Sequence, residues 1–119
     1  MNNYQKEYEE FLNNYKSGVT GAEEIGKQIA RWGQYYAEVN SHFAEMETVY
    51  KKTLANISQT NDGAKPITSS KAVTLAEATD DFANYIKAKR DKENIDREID
   101  TLTSLQVGIM KEFGHSSNI

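Results

Sequence analysis

In the N-terminal half of the chain, large apolar side chains recur alternately four and three residues apart. The series runs through Tyr4, Tyr8, Phe11 and Tyr15, passes the small Gly18 and Ala22, and continues through Ile25, Ile29, Trp32, Tyr36, Val39, Phe43, Met46 and Tyr50. After Thr53 it closes on Ile57. A 3.5-residue period marks long helices that bury one narrow stripe against other helices. Two features interrupt it. Lys16-Ser17-Gly18-Val19 weakens a helix, and Thr20-Gly21-Ala22-Glu23 has the form of a capping box, a hydroxyl followed three residues later by a carboxylate. The pattern predicts a helix from about 3 to 16 and a second from about 21 to 57. The register passes through the break undisturbed, so a single helix kinked at Gly18 and Gly21 is the open alternative.

The stretch from Ser58 to Ser70 reads SQTNDGAKPITSS, and its Asn-Asp-Gly, Lys-Pro and trailing hydroxyls predict a loop. A further helix is predicted from about 70 to 113. Its start is ambiguous, because Thr74-Leu75-Ala76-Glu77 is another capping box. Leu75, Phe82 and Ile86 line its first half, while Lys87 to Asn94 offers only Ala88. The seam resumes at Ile95, Ile99, Leu102, Ile109 and Phe113, with Gln106 in register. Leu105, Val107 and Met110 widen the apolar face. Gly114 is the expected stop, leaving 114–119 as a tail.

The expected fold class is therefore all-α, a long helical hairpin with a short N-terminal helix, in one domain over 1–119. The helix over 21–57 would be roughly 55 Å long at about 1.5 Å per residue. That is longer than one compact monomer of this size is expected to cover. Tyr8, Phe11, Tyr15, Ile25, Ile29, Trp32, Tyr36, Val39, Phe43, Met46 and Tyr50 are accordingly assigned to an interface with copies of the chain or with a partner. A homo-oligomer with bundle or coiled-coil packing is the expectation, and a monomeric three-helix bundle is the alternative.

Composition narrows the function. Hydrophobic residues make up 38% and charged residues 27% of the 119 positions, with a mean hydropathy of -0.74. That is polar for a globule but ordinary for long helices with wet outer faces. Residues 1–60 hold 6 Lys/Arg against 8 Asp/Glu and residues 61–119 hold 8 against 10, so each half carries -2 of the net charge of -4. Neither half is a basic nucleic-acid arm. With no cysteine there is no disulfide framework, thiol nucleophile or thiolate metal site. The opening MNNYQKEYEE lacks the apolar core of a signal peptide, and no apolar run approaches the ~18 residues of a membrane span. A cytoplasmic location is the expectation.

Motifs with chemistry are sparse. Gly21-Ala22-Glu23-Glu24-Ile25-Gly26-Lys27-Gln28 comes near a phosphate-binding loop. It has Gln28 in place of the magnesium-binding hydroxyl, two glutamates where amides would cradle phosphate, and no preceding strand. Glu38, His42 and Glu45 share one helical face, but a di-iron bundle needs a second such pair and two more inward glutamates. A wet flank with local charge pairing is the expectation there. No serine, cysteine or histidine forms a nucleophilic constellation. Neither an enzyme, nor a metal or other cofactor, nor a small-molecule substrate is expected.

The remaining feature is basic. Lys87, Lys89, Arg90, Lys92 and Arg97 against Asp91, Glu93 and Asp96 leave a local charge of +2, and Lys51 and Lys52 add a second basic point. As a solvated helix face the cluster has no function. As a binding face it would neutralise the backbone of single-stranded nucleic acid, with Tyr50 or Tyr85 stacking on bases and multivalency in an oligomer strengthening the grip.

Ala30-Arg31-Trp32, followed by Glu47, Lys51-Lys52 and Leu54, then a polar glycine-containing loop and a second long helix, resembles the UvsY recombination mediators of T-even-like phages over roughly residues 22–113. The resemblance implies a small cytoplasmic helical protein that assembles into rings and loads a recombinase onto single-stranded DNA covered by a single-strand-binding protein. It carries over Lys51 and Lys52 as phosphate contacts and the Trp32 stripe as packing. The chain departs from the family after Leu54, where Ala55-Asn56-Ile57-Ser58-Gln59 replaces further basic and aromatic residues. Two other functions stay open: a protein-binding adaptor or inhibitor of the kind phages use against hosts, without nucleic-acid binding, and a virion structural component or chaperone.

Overall fold

A computed structural model describes residues 3–18 and 21–117, with side chains through Lys111. The fold is all-α. Helices α1 (Asn3–Lys16) and α2 (Ala22–Ser58) are followed by a small antiparallel pair, β1 (Asn61–Asp62) and β2 (Lys65–Pro66). Then come α3 (Ser69–Glu77) and α4 (Asp80–Ser117). Among the described residues no helix is long and apolar enough to cross a membrane. The backbone divides into two compact units, one of Met1–Ala37 with Asn94–Ile119 and one of Glu38–Glu93.

The first unit packs α1, the start of α2 and the later part of α4. Tyr4 meets Tyr35 with ring centroids 4.4 Å apart and Tyr8 meets Trp32 at 6.0 Å, so α1 runs antiparallel to α2. Phe11 of α1, Ile25 and Trp32 of α2, and Ile95 and Leu102 of α4 are buried. A Cβ on Gly26 would meet Gln106 Nε2 at 3.1 Å, so the small residue admits the Gln106 side chain of α4. Phe11, Ile25 and Trp32 thus find their cover inside the chain. Length alone therefore does not call for a copy: α4 has 38 residues to the 37 of α2.

Between α1 and α2, Gly18 takes a left-handed φ of 80° and its N–H donates to the Tyr15 carbonyl at 3.1 Å, a glycine helix stop. The two N-terminal helices are therefore separate rather than one kinked helix. Thr20, the expected cap, lies outside the described residues. The described cap is Gly21, whose N–H donates to Glu24 Oε2 at 3.1 Å and whose carbonyl accepts from Ile25 N. The capping carboxylate is thus Glu24, and Glu23 instead faces Lys27 at 3.5 Å on the surface.

The second unit holds the rest of α2, the β-hairpin, α3 and the start of α4. Phe43, Tyr85, Tyr50 and Phe82 form a ladder of rings with successive centroids 5.6, 5.4 and 5.2 Å apart. Beyond it the Thr53 hydroxyl donates to Asp81 Oδ2 at 2.5 Å. Partner numbers fall as α2 numbers rise, which is the antiparallel pairing of a helical hairpin. Val39 and Ala88 are buried in this unit, as are Ala72 and Ala76 of α3.

Three boundaries differ from expectation, each for a local reason. The expected helix over 70–113 breaks at Ala78–Thr79. There the Thr79 hydroxyl donates to the Ala76 carbonyl at 2.7 Å and accepts from Phe82 N at 3.3 Å, closing α3 and capping α4. Thr74 caps nothing: its hydroxyl donates back to the Ser70 carbonyl inside α3, whose cap is Thr68. The expected loop contains the β-hairpin, because Gly63, with φ 69°, supplies the positive first turn position between Asp62 and Lys65. Finally, α4 passes Gly114 and continues to Ser117. A helical glycine costs about 1 kcal/mol without ending the helix. The expected contribution of the Phe113 side chain lies outside the described residues. Gly63→Ala should lower stability by about 1 kcal/mol, since a Cβ opposes that backbone conformation; urea denaturation would measure it.

Candidate functional site

The basic residues expected to grip phosphate are divided between two helices and more than one side of α4. Successive residues of a helix turn by about 100°, so Lys87 and Arg90, three apart, share one side of α4 and Lys89 and Lys92 share another. Lys51 reaches Glu47 of its own helix at 3.4 Å. Lys92 is half-buried with its ammonium 4.8 Å above the Phe43 ring. Lys87 borders an open groove of about 300 Å³ with His42, Met46, Asn84, Ala88 and Asp91. Arg97 belongs to the first unit and donates to Asn94 Oδ1 at 2.7 Å. Lys52, Lys89 and Arg90 are exposed. The rings of Tyr50 and Tyr85, the candidates for base stacking, stack on each other at 5°.

Of the residues assigned to an interface, Phe11, Ile25, Trp32 and Val39 are buried, and Tyr8, Tyr15, Ile29, Tyr36, Phe43, Met46 and Tyr50 are half-buried. The side chains left outside are others. Val73 and Leu75 of α3 are exposed, as are Val107, at 44%, and Met110, at 61%, near the end of α4. Val107 and Met110 are three residues apart and share a helix face. Among the described residues no group of three or more His, Asp or Glu side chains is placed to hold a metal; Glu38, His42 and Glu45 of the expected wet flank are exposed, with His42 bordering the groove.

The most connected polar cluster was not legible as a site. Glu7 of α1 pairs with Arg31 of α2 and also accepts from the Tyr35 hydroxyl at 2.7 Å. Arg31 Nε donates to the same hydroxyl at 2.9 Å, and its guanidinium lies 5.4 Å from the Tyr35 ring centre. Donation to Glu7 holds the Tyr35 phenol above its ordinary pKa, and the hydrogen bonds to Tyr35 and Glu7 raise that of Arg31. The available signal was the doubling of Tyr35 beside Tyr36: a helix touching two neighbours needs a stripe wider than a 3.5-residue seam.

Deeper in the same unit, Trp32 Nε1 donates to Glu98 Oε2 at 2.6 Å. Burial lifts the Glu98 carboxyl above its usual pKa, opposed by the indole hydrogen bond and the Arg97 charge. A carboxyl raised by folding binds its proton more tightly in the folded state. Its contribution to stability is therefore complete below the unfolded pKa of about 4.3 and is lost as pH rises through the higher folded value. Glu98→Gln keeps an acceptor for the indole and removes the titration. The variant should match the parent near pH 4 and gain on it in melting temperature between there and neutrality.

The architecture defines the class, an all-α helical hairpin with a short antiparallel helix docked on it. Compared with known protein families, curated proteins and solved structures, the chain matches none.

Proposed function

We propose that this protein is a non-catalytic helical assembly protein, which acts by offering helix faces to other polypeptides, copies of itself included. The observation that carries this is the apolar pair Val107 and Met110 left on the surface of α4, in a chain that otherwise closes its long aromatic seam on itself. Large apolar groups clustered on one face favour contact with another apolar surface over exposure to water. The titratable clusters support the same view. Glu7, Arg31 and Tyr35 tie helix to helix, and Glu98 is spent on Trp32. Light scattering over a range of concentrations tests it. Mass growth that Val107→Ser with Met110→Ser abolishes is the expected result, and a monomer at tens of micromolar would count against it.

A second proposal is the single-stranded-DNA mediator of the UvsY kind, favoured by the exposed Lys52, Lys89 and Arg90. Fluorescence anisotropy with a labelled oligonucleotide separates the two. Binding that falls with salt and weakens when Lys51 and Lys52 become alanine supports the mediator. No binding at low salt leaves a protein-only adaptor.

A further inference from the structure

The docking of α1 on α2 is shallow and largely polar at its rim. Phe11 is its one buried side chain among the described residues. Around it lie the half-buried Tyr4 and Tyr8 and the Glu7 contact with Arg31 and Tyr35. Two helices joined by a turn are free to take any rotational phase relative to one another. Here they do not: Tyr15, Gly18, Ala22 and Ile25 keep the four-and-three spacing straight through the junction. That phase is the one a single continuous helix through α1 and α2 would need to present one stripe. What prevents this in the monomer is the left-handed Gly18 and the cap at Gly21. A Cβ on Gly18 would meet nothing within 4 Å, so conformation rather than space opposes a side chain there.

We infer that α1 is an exchangeable clasp: it straightens into one helix with α2 and takes the same seat on α2 of a second copy. The inference rests on the proposal that the protein assembles, and it says through which face. The geometry is closed under a twofold axis. Tyr4 pairs with Tyr35, Glu7 with Arg31 and Tyr8 with Trp32, so the centre of this antiparallel pairing falls at the α1–α2 junction. Two straightened helices crossing there re-form each of these contacts between copies instead of within one. Trp32 faces Glu98, and Gly26 faces Gln106. Continuing that antiparallel register puts Met110 level with Ala22, beside the junction. The crossing of two copies brings both ends of α4 near the axis.

The chain has no cysteine, which makes the test direct. Chains carrying Glu7→Cys and chains carrying Arg31→Cys, refolded together and oxidised, should yield a covalent heterodimer whose fraction grows with concentration. In a second arm, Gly18→Ala with Gly21→Ala disfavours the turn and favours the continuous helix. It should raise the dimer association constant by at least about ten-fold in sedimentation. Dimers that form without the mixed disulfide would overturn the exchange and leave assembly through another face standing. A monomer at every concentration would overturn both. If the glycine variant does not fold, the cysteine pair in the otherwise native chain decides alone.

Discussion

Trp32→Ala is expected to lower folding stability by about 3–5 kcal/mol, the range for removing a fully buried tryptophan. Trp32 is 0% exposed. It touches both partners of its helix: Tyr8 of α1 at 6.0 Å and, through its indole N–H, Glu98 of α4. Tyr35, packed edge-on 5.1 Å away, carries the contact on to Glu7. Truncation leaves a cavity at the meeting point of three helices and strips the half-buried Glu98 carboxylate of its donor, so the two costs add. Against a total stability of about 5–15 kcal/mol for an ordinary domain, this is about a fifth or more of the whole. Phe43→Ala, in the half-buried ring ladder, should cost clearly less, because part of that ring already faces water. Thermal unfolding followed by circular dichroism would rank the two, and equal losses would mean that Trp32 is not the centre of the core.

The second large effect is expected on α4. Leu102→Ala should cost about 2–5 kcal/mol, since Leu102 is 0% exposed and belongs to the same packed unit as Ile25 and Trp32. Met110→Ala, eight residues further along the same helix, should change monomer stability by no more than about 0.5 kcal/mol. Met110 is 61% exposed, so its truncation removes few contacts. The two residues are both apolar and both near the seam. The side of α4 they occupy separates them, since eight residues turn the helix by about 80° past full turns. If self-association falls with Met110→Ala while melting of the monomer does not, its exposed surface serves assembly rather than folding.

Much of this fold was visible as periodicity. The spacing of Tyr4 to Tyr15 and of Ile25 to Ile57 gave helices over the stretches that α1 and α2 occupy, because burial of one face imposes its own repeat on the residues. The seam residues Ile95 and Leu102 were picked out in the same way and are buried. Boundaries were less legible. Thr74 and Thr79 are both hydroxyl residues near acidic groups, and which one caps a helix depends on where the chain turns. The basic cluster at 87–97 was legible as charge but not as a surface. Charge density is one-dimensional, whereas a binding face needs side chains on one side of the helix, and a turn of about 100° per residue scatters these.

What the sequence determined by itself is the helical repeat, the phase of α1 relative to α2, and the break between those two helices, all consequences of local steric preference and of one face needing cover. What only the tertiary structure decided is where that cover comes from. A periodic stripe is equally satisfied by a copy, a partner or another stretch of the same chain, because the hydrophobic effect scales with buried area and is indifferent to chain identity. Here α1 and α4 supply it for Ile25 and Trp32, turning an expected interface into a core. Val107 and Met110, on another side of α4, stay exposed.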